Sequence, residues 1–245
     1  LKHTPLYHQQ RTLEALRAYD LVANTYNTGT GKTMASLLYL FDLNRKGKNV
    51  LFIAPTNALL GQHAGDIGQF VAANTLDYRV VQVSAADVRA LRVAQDPSAT
   101  PTRPGEVLQR LIRNYLEFEV GATRRQPIIL VVNPDIFYYA LYFRYCRHDR
   151  RNVFERFLTA FDYIVVDEFH YYDSKQLANF LFAFALFDQF GYFEARERKV
   201  CLLSATPTEE VTTYLDRLFG KRWALISPAN EPPESAGYAT VPTLT

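Results

Sequence analysis

Thr28-Gly29-Thr30-Gly31-Lys32-Thr33, just after the apolar stretch Leu21-Val22-Ala23, is the part of the chain whose reading decides the fold. A loop that holds a polyphosphate must bring several backbone N–H groups within hydrogen-bond reach of its oxygens and then open a helix, which calls for glycines. Gly29 and Gly31 meet that need. Lys32 offers a point charge for the β- and γ-phosphates of a nucleoside triphosphate, and Thr33 a hydroxyl for the bridging magnesium. The candidate nucleotide-binding set is therefore Thr28, Gly29, Thr30, Gly31, Lys32 and Thr33. The spacing of Met34, Leu37, Leu38 and Phe41 predicts one helix from here, with that i, i+3, i+4, i+7 stripe against a sheet. Tyr26 stands where the strict pattern has a glycine, five places before Gly31, and puts a side chain at the neck of the loop.

Tyr163-Ile164-Val165-Val166-Asp167-Glu168-Phe169-His170 is an apolar, β-branched run closing on paired acids. Such a run reads as a strand buried on both faces of a parallel sheet. Carboxylates at the carboxyl end of that strand lie where ligands of open α/β sheets bind. Asp167 is the candidate to hold magnesium with Thr33, and Glu168 to orient and deprotonate the water that attacks the γ-phosphate.

A third buried strand closes on small hydroxyl residues in Val200-Cys201-Leu202-Leu203-Ser204-Ala205-Thr206-Pro207. In order, Thr28 to Thr33, Ala54-Pro55-Thr56, Asp167-Glu168-Phe169-His170 and Ser204-Ala205-Thr206 resemble motifs I, Ia, II and III of the superfamily 2 helicases of the DExH type. The shared pattern runs from about Leu6 to Pro207, nearly the whole chain. The resemblance implies a RecA-like P-loop NTPase fold that takes ATP and Mg2+, with Lys32, Asp167 and Glu168 as its catalytic set. It further implies that Thr56, Asn133, His170, Ser204 and Thr206 grip the nucleic-acid strand or couple it to the ATP site. Gln10 resembles the glutamine upstream of motif I that reads adenine, with Gln9 as the alternative one place earlier; a carboxamide can offer both a donor and an acceptor to the base. Asn133-Pro134-Asp135 resembles the Thr-Pro-Asp element that contacts the strand backbone, with asparagine in place of threonine.

No nuclease module precedes the glutamine motif, and a long aromatic insertion follows Asn133. These features make the chain look most like the CRISPR-associated helicases of type I systems, particularly the type I-D form. That implies single-stranded nucleic acid as partner, DNA favoured, together with a CRISPR effector complex and a nuclease carried on a separate subunit. The same motifs serve the motor of a restriction or repair enzyme, an RNA helicase, or a nucleotide-gated clamp.

Apolar runs at Leu21 to Ala23, Val50 to Ala54, Tyr78 to Val83, Ile128 to Val132, Tyr163 to Val166 and Val200 to Leu203 alternate with helical patterns. That alternation predicts an α/β architecture, a mostly parallel sheet sandwiched by helices. Residues 1–227 read as the first RecA-like domain. Residues 228–245, with Pro228, Pro232, Pro233 and Pro242, read as a linker toward a second RecA-like domain whose arginine would complete the ATP site. The 1–245 stretch is then expected to turn ATP over poorly by itself. Its start, Leu1-Lys2-His3-Thr4-Pro5, reads as that of a fragment.

At 245 residues, 48% of them hydrophobic with 17 Phe and 16 Tyr, the chain has ample material for one α/β core. A net charge of +2 and a pI near 8.5 are too mild to indicate nucleic-acid binding from the global balance. Cys146 and Cys201 lack the paired spacing of a zinc or iron–sulfur site and point to a reducing, cytoplasmic setting. The longest apolar run, Phe180 to Phe187, stops at Asp188, far short of a membrane span. Between Phe137 and Arg151 six aromatics mix with four arginines; the aromatics read as a packed helical stripe, the arginines as equally suited to solvent or to a strand. His148-Asp149 lacks the further ligands of a metal phosphohydrolase.

Overall fold

Runs of four or five β-branched and aromatic residues with no polar alternation can be satisfied only by burial on both faces, and this is what they find. In the computed structural model, which describes residues 4–88, 126–142, 159–194, 198–205 and 209–232, seven strands are described, and every described pairing is parallel. The chain divides into two units, residues 1–43 with 163–245, and residues 44–162.

The first unit contains β1 (Leu21–Asn24), β5 (Tyr163–Val166), β6 (Lys199–Leu203) and β7 (Trp223–Ile226), in the order β5-β6-β1-β7. Its register pairs Val166 with Leu202, and Asn24 with both Leu203 and Ile226. The carboxyl ends of β1, β5 and β6 therefore lie side by side, and each runs straight into one of the motifs. Helix α1 (Tyr7–Ala18) precedes β1, and α2 (Lys32–Leu37) and the start of α3 (Leu40–Arg45) follow it. Helix α6 (Ser174–Gln189) joins β5 to β6, and α7 (Glu209–Phe219) joins β6 to β7. Phe180, Phe184 and Phe187 of α6 are fully buried. The second unit has β2 (Val50–Ile53), β3 (Arg79–Val83) and β4 (Ile128–Val132), in the order β3-β4-β2, with α4 (Asn57–Ala73) packed on β3 and β4. Helix α5 (Pro134–Tyr142) follows β4.

Three sequence expectations change. The single helix after the phosphate loop is two short ones. Tyr163 Oη donates to the Ser36 carbonyl at 3.1 Å, and Ser36 Oγ donates back to the Thr33 carbonyl at 2.7 Å. Side chains thus take up carbonyls that a continuous helix would use itself, and the chain turns at Leu38 and Tyr39, both buried. The buried face of α2 is consequently Lys32, Ala35, Ser36 and Leu37, while Met34 is 41% exposed. Second, β7 is a strand beyond the six expected; Trp223-Ala224-Leu225-Ile226 is a short apolar run whose residues are only half-buried. Third, the first residues of the expected 228–245 linker are folded into a turn. Ser227 Oγ accepts from the Ala229 N–H at 3.3 Å and caps a turn over Pro228–Asn230 that brings Glu231 back to β1. Thr206, Cys146, the arginines of 144–151, His148-Asp149 and the 233–245 part of the expected linker lie outside the described residues.

Candidate nucleotide site

Gly29 and Gly31 have φ of +83° and +80°, the left-handed region that residues with a Cβ enter only at a cost. A Cβ on Gly31 would also lie 2.7 Å from Gln9 Nε2. The loop is closed by Thr30, whose hydroxyl and N–H both reach the Asn27 carbonyl, at 2.7 and 3.4 Å. Two successive loop carbonyls are held from behind by α1: Thr30 O by His8 Nε2 at 2.9 Å and Gly31 O by Gln9 Nε2 at 3.2 Å. In a trans peptide the C=O and the following N–H point opposite ways. Anchoring these two carbonyls therefore aims the Gly31 and Lys32 N–H groups away from α1, as a phosphate cradle requires.

Lys32 is buried, and burial lowers the pKa of its ammonium; the charges of Glu168 and then Asp167 push the other way. Among the described residues it makes no ion pair. A desolvated cation with no close counter-ion is matched to an anionic ligand. Thr33 Oγ1 donates to Asp167 Oδ2 at 3.2 Å across 134 residues of chain, which places the two candidate magnesium ligands together. Asp167 is 2% exposed; its other oxygen accepts the Glu168 N–H at 2.8 Å, and its carbonyl accepts from Tyr172 Oη at 3.2 Å.

Glu168 has φ of +47°, the left-handed region, at a residue that carries a full side chain. Such strain persists where surrounding contacts impose it, and it gathers at functional sites. Its Oε2 is buried and accepts no hydrogen bond from the described residues. His170 Nδ1 lies 3.3 Å from that oxygen, yet the same nitrogen accepts the Ala205 N–H at 3.2 Å. A nitrogen that accepts from Ala205 carries no proton for Glu168, so we read the pair as a contact without an ion pair. Ser204 Oγ is also buried and unpartnered among the described residues. An orphaned carboxylate oxygen, an orphaned hydroxyl, an unpaired ammonium and a Thr–Asp pair form a donor set that fits a magnesium–triphosphate.

The remaining candidates separate. Gln10 is exposed, on the face of α1 that also carries Glu14 and Arg17, whereas Gln9 is buried on the loop with its Oε1 accepting the Leu6 N–H at 3.0 Å. The two glutamines that could read adenine thus lie on different faces, Gln9 against the loop and Gln10 outward, because successive helical residues turn by about 100°. The signal was present: exposed charged residues at 14 and 17 mark the outward face on which 10 also falls. Asn133 is 2% exposed; its Oδ1 accepts the Ile136 N–H at 3.0 Å and its Nδ2 donates to Asn57 Oδ1 at 2.6 Å. Its side chain caps α5 and meets Asn57. Thr56 is exposed and caps α4 by accepting the Leu59 N–H at 3.3 Å. Thr28 is exposed at the loop tip. His8, which the sequence reading passed over, is one of the two side chains that hold the loop.

Comparison with known proteins agrees with this geometry. Mss116p bound to ssRNA and AMP-PNP is 19% identical with a TM-score of 0.59, over 90% of this chain and 39% of that one. The DUF1998 helicase MrfA bound to DNA and AMPPNP is 15% identical with a TM-score of 0.55, over 92% and 27%. A DEAD box protein from the hyperthermophile Methanococcus jannaschii is 16% identical with a TM-score of 0.51, over 91% and 50%. The chain thus spans half or less of each, and these likenesses establish the fold. No curated protein sequence matches. No helix among the described residues is long and apolar enough to cross a membrane. Residues 7–214 match the DEAD/DEAH box helicase model, and with the parallel sheet and motif geometry above, the chain belongs to that family.

Proposed function

We propose that this chain is the ATP-binding half of a nucleic-acid helicase or translocase that hydrolyses ATP. The observation that carries the reading is the Thr33–Asp167 pair at 3.2 Å beside the buried, unpaired Lys32. Lys32 and the loop N–H groups hold the β- and γ-phosphates, and Gln9, with a second lone pair and a second N–H left over, faces the base. Thr33 and Asp167 hold Mg2+, which when bound offsets phosphate charge. Glu168 Oε2 takes the proton of the attacking water, and the left-handed turn at Glu168 aims that oxygen at the site. His170, through Ala205, and Ser204 carry the state of the site toward motif III, where Thr206 stands. Thr56 and Asn133 are the strand contacts of the second unit.

An arginine from a second RecA-like domain completes such sites, so residues 1–245 by themselves turn ATP over slowly. Work on DNA in type I CRISPR interference, with an effector complex and a separate nuclease, rests on the sequence resemblance. RNA stands beside it as a second reading, because solved structures of this fold include one carrying ssRNA and one carrying DNA. The deciding experiment measures MgATP binding and strand-stimulated turnover of wild type and Glu168→Gln with single-stranded DNA and RNA. Retained binding with turnover abolished supports the assignment. Wild-type turnover in Glu168→Gln removes the general-base role, and stimulation by RNA alone removes the DNA assignment.

A further inference from the structure

Tyr26, the residue that departs from the phosphate-loop pattern, is neither loose nor passive. It is 5% exposed, and its ring stacks on His8 with centroids 4.3 Å apart and planes 23° apart. Its Oη donates to Glu231 Oε2 at 2.8 Å, a bond spanning 205 residues. Burial, and then this hydrogen bond, push the phenol pKa up, so the proton stays on Tyr26. Glu231 arrives from the turn that follows β7, and the end of β7 is held beside the residue after β1, since the Thr25 N–H donates to the Ile226 carbonyl at 2.8 Å.

The tautomer of His8 follows from its neighbours. Asn24 Oδ1 accepts the Tyr26 N–H at 3.1 Å, which orients the amide. Asn24 Nδ2 is then the donor to Thr12 Oγ1 at 2.9 Å and to His8 Nδ1 at 3.1 Å. The Thr12 hydroxyl spends its own proton on the His8 carbonyl at 2.7 Å. His8 Nδ1 is therefore an acceptor, its proton sits on Nε2, and Nε2–H donates to the Thr30 carbonyl. Burial lowers the His8 pKa and keeps the ring in this neutral form. A continuous chain of contacts thus runs from Glu231 through Tyr26 and His8 to the peptide whose N–H belongs to Gly31.

We infer that Tyr26 and Glu231 form a latch that positions the phosphate loop through His8, so that the segment leaving β7 sets how tightly the loop holds nucleotide. The inference rests on the nucleotide reading above. A small residue at position 26 would leave the His8 ring without its stacking partner, and the Thr30 carbonyl held by a ring free to tilt. With Tyr26 latched, one face of the imidazole and both of its nitrogens are held before the ligand arrives, which lowers the ordering cost of binding. Anything that draws residues 227–231 away from the loop would lower nucleotide affinity without touching a phosphate ligand.

The test is a double-mutant cycle on MgADP affinity by titration calorimetry, with melting temperature recorded in parallel. Tyr26→Phe and Glu231→Ala should each weaken MgADP by about three- to tenfold, the range of one lost hydrogen bond of ordinary strength. The double variant should be no weaker than the worse single, and Glu231→Gln, which keeps an acceptor, should recover most of the loss. Wild-type affinity in the single variants, even with a lowered melting temperature, would mean a structural tether and overturn the latch. Losses that multiply in the double variant would also overturn it. A wild-type protein that binds no MgADP would instead overturn the nucleotide reading, and this inference with it.

Discussion

The unit built around β1 and the unit built around β2 handle their buried polar groups differently. In the first, the bonds that matter join residues far apart in sequence: Thr33 to Asp167, His8 to Thr30, His170 to Ala205 and Tyr26 to Glu231. Several groups, Lys32, Glu168 Oε2 and Ser204 Oγ, are buried with capacity left over. In the second, the buried Asn133 caps the helix that it precedes, and Asn49 Oδ1 accepts the Ile128 N–H 79 residues away and braces a strand start. A buried polar group whose side chain is taken up by backbone N–H groups at the start of an element serves the fold. One that is buried, brought in from a distance and left short of partners serves a ligand.

Variants that break this contrast have graded effects. Glu168→Gln should lower turnover by about 100- to 10,000-fold, the usual range for a general base, with MgADP affinity unchanged. Normal turnover in steady-state assays would move Glu168 into the structural class. Lys32→Ala should cost roughly 100-fold in nucleotide affinity, as expected for removing a desolvated charge from its counter-ion; calorimetry at fixed salt reads it, and a loss under threefold would show that the ammonium does not meet the phosphates. Gly31→Ala meets both a left-handed φ and the Gln9 amide, so about 1–2 kcal/mol of strain should appear as reduced nucleotide affinity and a lower melting point.

The second unit should respond in the opposite sense. Thr56→Ala removes a helix cap and should cost about 1 kcal/mol of stability in denaturant titration while MgADP affinity stays at the wild-type value. A loss of nucleotide affinity with unchanged stability would erase the distinction between the units. The smallest effect concerns pH. Because His8 has its folded pKa below the ordinary 6.5, the unfolded chain binds more protons there, and stability falls as pH drops below that value. Melting curves between pH 7 and 5 should fall less steeply for His8→Gln than for wild type; identical slopes would show that His8 is free to protonate.

Much of the architecture was legible because its determinants are local. Six of the seven described strands announce themselves as short apolar runs, and the phosphate loop as glycines before a lysine. The seventh, Trp223-Ala224-Leu225-Ile226, is also a continuous apolar run, so its signal was present although its residues end only half-buried. The helix after Thr33 was misread as one piece because the Tyr163 hydroxyl, distant in sequence, claims the Ser36 carbonyl. Which of Gln9 and Gln10 lies against the loop depends on the face that α1 turns toward it, and packing sets that face.

From the sequence alone came the expected class of chemistry: glycines that admit positive φ, a lysine, a hydroxyl and paired acids, each at a strand end, form the pattern that the proposed magnesium–triphosphate site calls for. These properties belong to single residues and to spacings of a few residues, so they survive without a fold. Tertiary structure decided which of Gln9 and Gln10 meets the loop, that Asn133 is turned inward, and that Glu231 returns to Tyr26. Each of these is a contact or an orientation set by packing across tens to hundreds of residues, and no local pattern encodes which partner will arrive.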